Sequence, residues 1–114
     1  MPLIDMPLDK LHEYQGRNPR PADFDDFWAR GLAEIDAIDP QVELTAHPLG
    51  SRIADCFHLR FTGVGGARVY AKVLRPRHAP QPHPAVLMFH GYSGHSGDWQ
   101  DKLALVSQGY TVAA

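Results

Sequence analysis

The sequence predicts an α/β fold, in which a helix and antiparallel strands precede the first strand–helix–strand unit of a mostly parallel sheet. Three observations predict it: a helical apolar pattern over residues 22–38, alternating patterns over residues 42–74, and a continuous apolar run over residues 85–89. A Gly/Ser-rich loop, a second helical pattern and a β-branched run follow that apolar run. This order is typical of a βαβ unit, whose two strands pair in parallel.

Composition excludes several classes of protein. The 114 residues suffice for one small domain, and 44% hydrophobic with 21% charged residues is ordinary globular usage. Eleven Lys+Arg against 13 Asp+Glu lack the basic excess of a nucleic-acid binder. The single cysteine, Cys56, excludes an intrachain disulfide and a multi-cysteine zinc site. With no signal-peptide pattern and no run of the ~20 apolar residues that a membrane span needs, we expect a cytoplasmic protein without membrane partners.

The N-terminal part predicts an arm and then a helix. Prolines and a glycine punctuate residues 1–20, which predicts an irregular arm with one short helical turn over residues 8–14. A helix is expected over residues 21–39, because Pro21 suits a first helical position and aspartates in the first turns suit the helix dipole. Its apolar stripe, which we expect to pack on the sheet, consists of Phe24, Phe27, Trp28, Leu32, Ile35 and Ile38.

Residues 40–75 predict antiparallel strands. A short alternating run precedes residues 48–50, and two longer runs flank the glycine-rich residues 63–66, which predicts a hairpin. In the first long run the more polar face carries Cys56 and His58, which we interpret as structural or solvent-facing. The proline-rich residues 75–84 predict a loop, whose histidines, His78 and His83, we interpret as solvated rather than as metal ligands.

Residues 84–114 predict the start of the βαβ core. The run at residues 85–89 is typical of a strand covered on both faces. A helix is expected over residues 98–108, with Ser96 or Gly97 as N-cap and Gly109 as the residue after its C-cap. The chain stops within the next strand-like run without a turn or cap, so we expect residues 1–114 to form an incomplete domain of a longer protein.

The loop at residues 90–97 is the strongest candidate for chemistry, because His-Gly-Tyr directly follows the apolar strand. In α/β-hydrolases this strand-to-helix loop supplies one oxyanion donor. A backbone N–H held about 3 Å from the developing oxyanion stabilises the tetrahedral intermediate of acyl transfer. Glycine lets the backbone turn sharply and approach a substrate. The alternative is an ordinary glycine turn, since His-Gly alone is a weak signal.

The same loop contains two near-matches to the nucleophile elbow G-x-S-x-G. Residues 91–95 and 94–98 fail at the final glycine, which is His95 in one and Asp98 in the other. That glycine matters because the tight elbow leaves no room for a side chain. The four serines, none of which lies in an intact elbow, are Ser51, Ser93, Ser96 and Ser107. We therefore assign no nucleophile and no Ser-His pair to this chain.

The loop and its surroundings resemble a known family. Residues 90–114, HGYSGHSGDWQDKLALVSQGYTVAA, resemble the start of the catalytic core of acetyl xylan esterases and cephalosporin C deacetylases, carbohydrate esterase family 7. The opening MPLIDMPLDKLHEYQGRNPRPADFDDFWARGLAEID and the later VYAKVLRP are similar to that family in the same order. The resemblance implies the N-terminal portion of an α/β-hydrolase fold. It also implies a serine esterase that deacetylates xylooligosaccharides and cephalosporin C, needs no cofactor or metal, and assembles as a hexamer.

By this resemblance, Tyr92 matches the tyrosine whose backbone N–H lines the oxyanion hole, and His90 and Gly91 support the loop. The family's Ser, Asp and His triad lies beyond residue 114, so we expect the 114-residue chain alone to be inactive. Two alternatives stay open. One is another α/β-hydrolase, a peptidase or a dienelactone-type enzyme. The other is a non-enzymatic interaction module, if the native chain ends at residue 114; the coding sequence past Ala114 discriminates between them.

Overall fold

The computed structural model describes residues 6–114, which fall into two compact units. The first unit ends at Ala33 and contains α1 (Leu8–Glu13) and most of α2 (Phe24–Asp36). The second unit, Glu34–Ala114, contains a five-stranded sheet and a short helix. Residues 1–5 of the predicted arm lie outside the described residues, and the predicted helical turn in the arm is confirmed as α1. None of the helices between residues 6 and 114 has the length and hydropathy that a membrane crossing requires.

Helix α2 confirms the predicted helix but is shorter than the expected residues 21–39. It starts later because Pro21 begins a turn instead: the Phe24 N–H donates to the Pro21 carbonyl at 3.2 Å. The packing of its apolar stripe on the sheet stays a prediction. Phe27 and Trp28 contact each other edge to face, with ring centroids 5.6 Å apart.

The sheet combines the predicted hairpin with the predicted βαβ unit. Its strand order is β1-β2-β3-β5-β4, in which β4 and β5 pair in parallel and all other neighbours are antiparallel. The strands are β1 (Glu43–His47), β2 (Ala54–Thr62), β3 (Arg68–Pro76), β4 (Ala85–Leu87) and β5 (Thr111–Ala113). The hairpin of β2 and β3 and the parallel crossover through α3 (Leu103–Ser107) are thereby confirmed.

The core lies between α3 and one face of the sheet. Its buried side chains are Ala54, Cys56, Leu74, Val106 and Val112. Of the two interpretations given for Cys56, structural or solvent-facing, the structural one is confirmed, because Cys56 packs in the core with Val106 of α3. Cys56 is only 5% exposed. Burial, and secondarily the Asp55 carboxylate, raise the pKa of the Cys56 thiol against the lowering effect of Arg77, so the thiol stays protonated at neutral pH.

Strand β4 differs from its prediction as a strand covered on both faces. Leu87 is 67% exposed and Phe89, just beyond the strand, is 88% exposed. The physical reason is that the helix packed on the sheet, α3, lies mainly against β3, β5 and β2 rather than against β4, which is an edge strand. A continuous apolar run indicates the capacity for burial on both faces, whereas coverage depends on the neighbours that the fold supplies.

The second predicted helix is shorter than residues 98–108, because its first turn is the 3-10 segment Gln100–Lys102. Neither Ser96 nor Gly97 caps it; instead the Asp98 N–H donates to the Asp101 carboxylate at 2.9 Å. The predicted role of Gly109 is confirmed by a φ of +91° and by two bonds. The Gly109 N–H donates to the Val106 carbonyl at 2.9 Å, and the Tyr110 N–H to the Leu105 carbonyl at 3.3 Å. This pair of bonds is a Schellman motif, which ends the helix and starts β5.

Replacing Leu74 by alanine tests where the core lies. Leu74 is fully buried at the centre of the sheet, so Leu74→Ala should lower the free energy of unfolding by about 2–5 kcal/mol. Leu44→Ala on the edge strand β1 is the matched control, because Leu44 is 40% exposed. It should change stability by less than about 1 kcal/mol. Denaturant unfolding of both variants measures the difference, and equal losses would contradict the assigned core.

Candidate functional site

The candidate loop leaves the sheet at the end of a parallel strand. The Met88 N–H donates to the Ala113 carbonyl at 2.8 Å, which extends the β4–β5 pairing by one residue. Residues 90–98, called here the 90–98 loop, then connect β4 to the 3-10 turn before α3. In open α/β sheets, ligand sites lie outside the carboxyl ends of the strands, and the 90–98 loop occupies such a position.

The first half of the loop is a turn organised around one carbonyl. The Gly91 oxygen accepts the Gly94 N–H at 2.9 Å and His90 Nδ1 at 2.9 Å. Since a carbonyl only accepts, His90 Nδ1 is the donor in this hydrogen bond. Ser93, the third residue of the turn, has a φ of +63°, as a type II turn requires. A non-glycine residue in this region is strained, and the two hydrogen bonds hold it there.

The turn directs the Tyr92 N–H outward. The Gly91 carbonyl and the Tyr92 N–H belong to one trans peptide, so they point in opposite directions. The carbonyl faces the two donors inside the turn, whereas the Tyr92 N–H has no acceptor among the described residues 6–114. The Tyr92 side chain is fully exposed. The structure thus brings His90, Gly91 and Tyr92 into one turn that fixes a free backbone donor.

Two lysines hold the second half of the loop. Lys72 Nζ, from β3, donates to the Gly97 carbonyl, and Lys102 Nζ donates to the Asp98 carbonyl at 3.0 Å. Lys102 is only 2% exposed. Sequence reasoning missed both lysines. A signal existed for Lys102, since it lies three residues after Trp99 and four before Val106, on the apolar side of the helical pattern.

The other sequence candidates lie apart from this turn. His95 Nδ1 accepts the Gly97 N–H at 2.9 Å, and within the described residues no hydrogen bond joins it to Ser93 or Ser96. The ring of His83 is 2.7 Å from the Thr111 hydroxyl through Nε2, so it is not simply solvated as expected. Between residues 6 and 114, no cluster of three or more metal-ligating side chains is present.

Comparison with known proteins identifies the family. The family model of acetyl xylan esterase (AXE1) matches residues 1–114. The chain belongs to the acetyl xylan esterase family. A search of curated proteins gives no match. The family membership confirms the resemblance seen in the sequence and supports an esterase-type function.

Solved structures of this family share the fold. The crystal structure of acetyl xylan esterase 1 from Thermoanaerobacterium sp. JW/SL YS485 is 51% identical, with a TM-score of 0.87, over 96% of this chain and 34% of that one. An acetyl xylan esterase from Paenibacillus sp. R4 is 25% identical, with a TM-score of 0.80, over 96% of this chain and 35% of that one. The chain thus spans about a third of the length of each structure. The expected fold class, the N-terminal part of an α/β esterase fold, is confirmed.

The 90–98 loop depends on the small size of Gly94. A Cβ at Gly94 would lie 3.0 Å from the Gly91 oxygen and 3.1 Å from the His90 Cβ, whereas a Cβ at Gly91 would meet nothing within 4 Å. Gly94→Ala should therefore open the turn and lower the free energy of unfolding by about 1–3 kcal/mol. Gly91→Ala, the matched control, should leave the unfolding midpoint within about 0.5 kcal/mol of the parent. Equal midpoints in denaturant unfolding would contradict the described turn.

Proposed function

We propose that residues 1–114 supply the oxyanion-stabilising loop of a serine carboxylesterase that removes acetyl groups from acetylated xylooligosaccharides and from cephalosporin C. The observation that carries this proposal is the free, outward Tyr92 N–H, in a turn whose carbonyl is already held by two donors. The family supports the esterase chemistry, and a backbone donor at the end of a parallel strand suits acyl transfer.

The proposed step is stabilisation of a tetrahedral intermediate. A serine hydroxyl adds to the acetyl carbonyl, its proton passes to a histidine, and the carbonyl oxygen takes the negative charge. The Tyr92 N–H donates to that oxygen. Because His90 and Gly94 already fix the peptide, the donor needs no reorganisation when the charge develops. One such donor contributes about 2.7–4 kcal/mol to transition-state stabilisation.

In this proposal the chain supplies an oxyanion donor, and residues that it does not contain supply the nucleophile, the acid and the base. None of the four serines lies in an elbow, so the nucleophile, the acid and the base are proposed to follow residue 114, as the family resemblance implies. The 114-residue chain alone is then inactive. The same resemblance supports a homo-hexamer that needs neither a metal nor another cofactor.

Tyr92→Pro removes the proposed donor and keeps the turn. Proline is favoured at the second position of a type II turn, so the fold should persist while the N–H is lost. We expect kcat for acetate release to fall by about 10²–10³-fold. The matched control, Tyr92→Phe, retains the N–H and should keep kcat within about threefold, because the exposed phenol is not the donor. The full gene product that carries these residues is assayed, with circular dichroism to verify folding.

A large loss in Tyr92→Phe, or none in Tyr92→Pro, would contradict this role of the main chain. The substrate class is tested on the same protein with acetylated xylooligosaccharide, cephalosporin C, a peptide and a dienelactone. Preference for the last two would favour the alternative hydrolases. An intact mass of the native protein equal to that of the 114 residues would favour an interaction module instead.

The near-elbow serines are tested in the 114-residue chain itself. We expect no turnover of p-nitrophenyl acetate above the buffer rate, because residues 91–95 and 94–98 lack the final glycine of an elbow. The double variant Ser93→Ala, Ser96→Ala should give the same baseline. Activity in the parent chain that disappears in the double variant would show that one of these serines is a nucleophile.

A further inference from the structure

We propose that His47 is a positioning residue for the 90–98 loop: it holds Trp99 by ring stacking, and a hydrogen-bonded row of His47, His58 and Tyr70 fixes its own orientation. The inference rests on the proposed function for its catalytic consequence, although its structural part stands alone. The three side chains of the row lie on the same face of the sheet as the core residues Cys56 and Leu74. All three precede the 90–98 loop in the sequence.

Three neighbouring strands contribute one ring each. His47 Nδ1, on β1, is 3.0 Å from His58 Nε2, on β2, and His58 Nδ1 is 2.8 Å from the Tyr70 hydroxyl, on β3. Both nitrogens of His58 are thus engaged, while His47 uses only Nδ1 in the row. Since β1 and β3 flank β2, the register of the sheet fixes the spacing of the row.

The row meets the loop at Trp99, the residue that follows it. The Trp99 ring stacks on His47, with centroids 4.2 Å apart and an interplanar angle of 8°. It also contacts His58 edge to face, with centroids 5.4 Å apart. Lys72 Nζ lies 5.6 Å from the Trp99 ring centroid and donates to the Gly97 carbonyl. The end of the loop is therefore held through two aromatic contacts of Trp99 and one charged donor, all three from the sheet.

The hydrogen bond between His47 and His58 depends on the protonation of the two rings. The His47–His58 bond needs one donor and one acceptor, so neutral rings or a single added proton satisfy it, but two imidazolium rings do not. Desolvation first, then the charges of His47, Arg60 and Lys72, lower the pKa of His58. The folded chain consequently binds fewer protons there than the unfolded chain. The stabilising effect of neutral His58 is fully present above the unfolded pKa of about 6.5. It is lost as the pH falls below that value.

Trp99 fluorescence tests the positioning directly. Residues 1–114 contain two tryptophans, so in the 114-residue chain Trp28→Phe leaves Trp99 as the only tryptophan, and selective excitation of tryptophan avoids the four tyrosines. In that background we expect Trp99 to be shielded from acrylamide at pH 8 and to become more accessible below about pH 6.5. His47→Ala should raise the quenching constant at pH 8 at least twofold. His47→Phe, which keeps a stacking ring but has no nitrogen to bond His58, should restore shielding at pH 8 and at least halve the change on acidification.

His78→Ala is the matched control, because His78 is an exposed histidine of the proline-rich loop. It should leave both the quenching constant and its pH dependence unchanged. Equal quenching in His47→Ala and His78→Ala would overturn the inference whether or not the protein is an esterase. If His47→Ala fails to fold, His47→Phe decides: shielding at pH 8 with an undiminished pH response would overturn the role of the row.

The catalytic consequence is read in the full gene product. His47→Ala should lower kcat for acetate release at least tenfold at pH 8 while KM changes less than threefold. The loss relative to the parent should be smaller at pH 6, because the parent itself has lost part of the positioning there. Unchanged kcat in a variant whose Trp99 has become accessible would overturn the link to the reaction. If Tyr92→Pro is fully active while the fluorescence results hold, the proposed function fails and the positioning of Trp99 by His47 stands.

Discussion

The pairing of β3 with β5 is the contact on which the rest of the second unit depends. It joins the antiparallel hairpin to the parallel strand–helix–strand unit through Val73↔Ala113 and Leu74↔Val112. Reciprocal bonds of 2.7 and 2.9 Å between the backbones of Lys72 and Ala114 extend it. The same short seam contains two fully buried side chains, Leu74 and Val112. Because this pairing places β3 beside the parallel unit, Lys72 on β3 can donate to the Gly97 carbonyl of the 90–98 loop.

In the turn at Gly91, the two polar groups of one peptide have different roles. Its carbonyl is held by two donors, which stabilises the chain direction, and its N–H is left free on the opposite side. The positive φ of Ser93 is the local cost of this arrangement, of the order of 1–2 kcal/mol. Strain of this kind persists where the surroundings fix the backbone, and here glycine at position 94 permits the close approach that does so.

Much of the fold could be predicted from sequence patterns, whereas which faces of the strands are covered by a helix could not. Period and turn residues predicted α2, the β2–β3 hairpin, the parallel crossover and Gly109, because these are local features. Alternation along β2 separated its two faces but did not say that α3 covers the Cys56 side. For the site, a short motif predicted residues 90–92. Lys72 and the His47–His58–Tyr70 row depend on strand register across long sequence separations, which no local pattern reveals.

The buried Cys56 gives this domain an internal reporter of opening. It is the chain's single thiol, lies in the core beneath α3 and has a raised pKa. A thiol-specific reagent needs the thiolate and free access, and both arise only when α3 and the sheet separate. The labelling rate of Cys56 therefore measures how often this core opens, and it does so without any engineered probe.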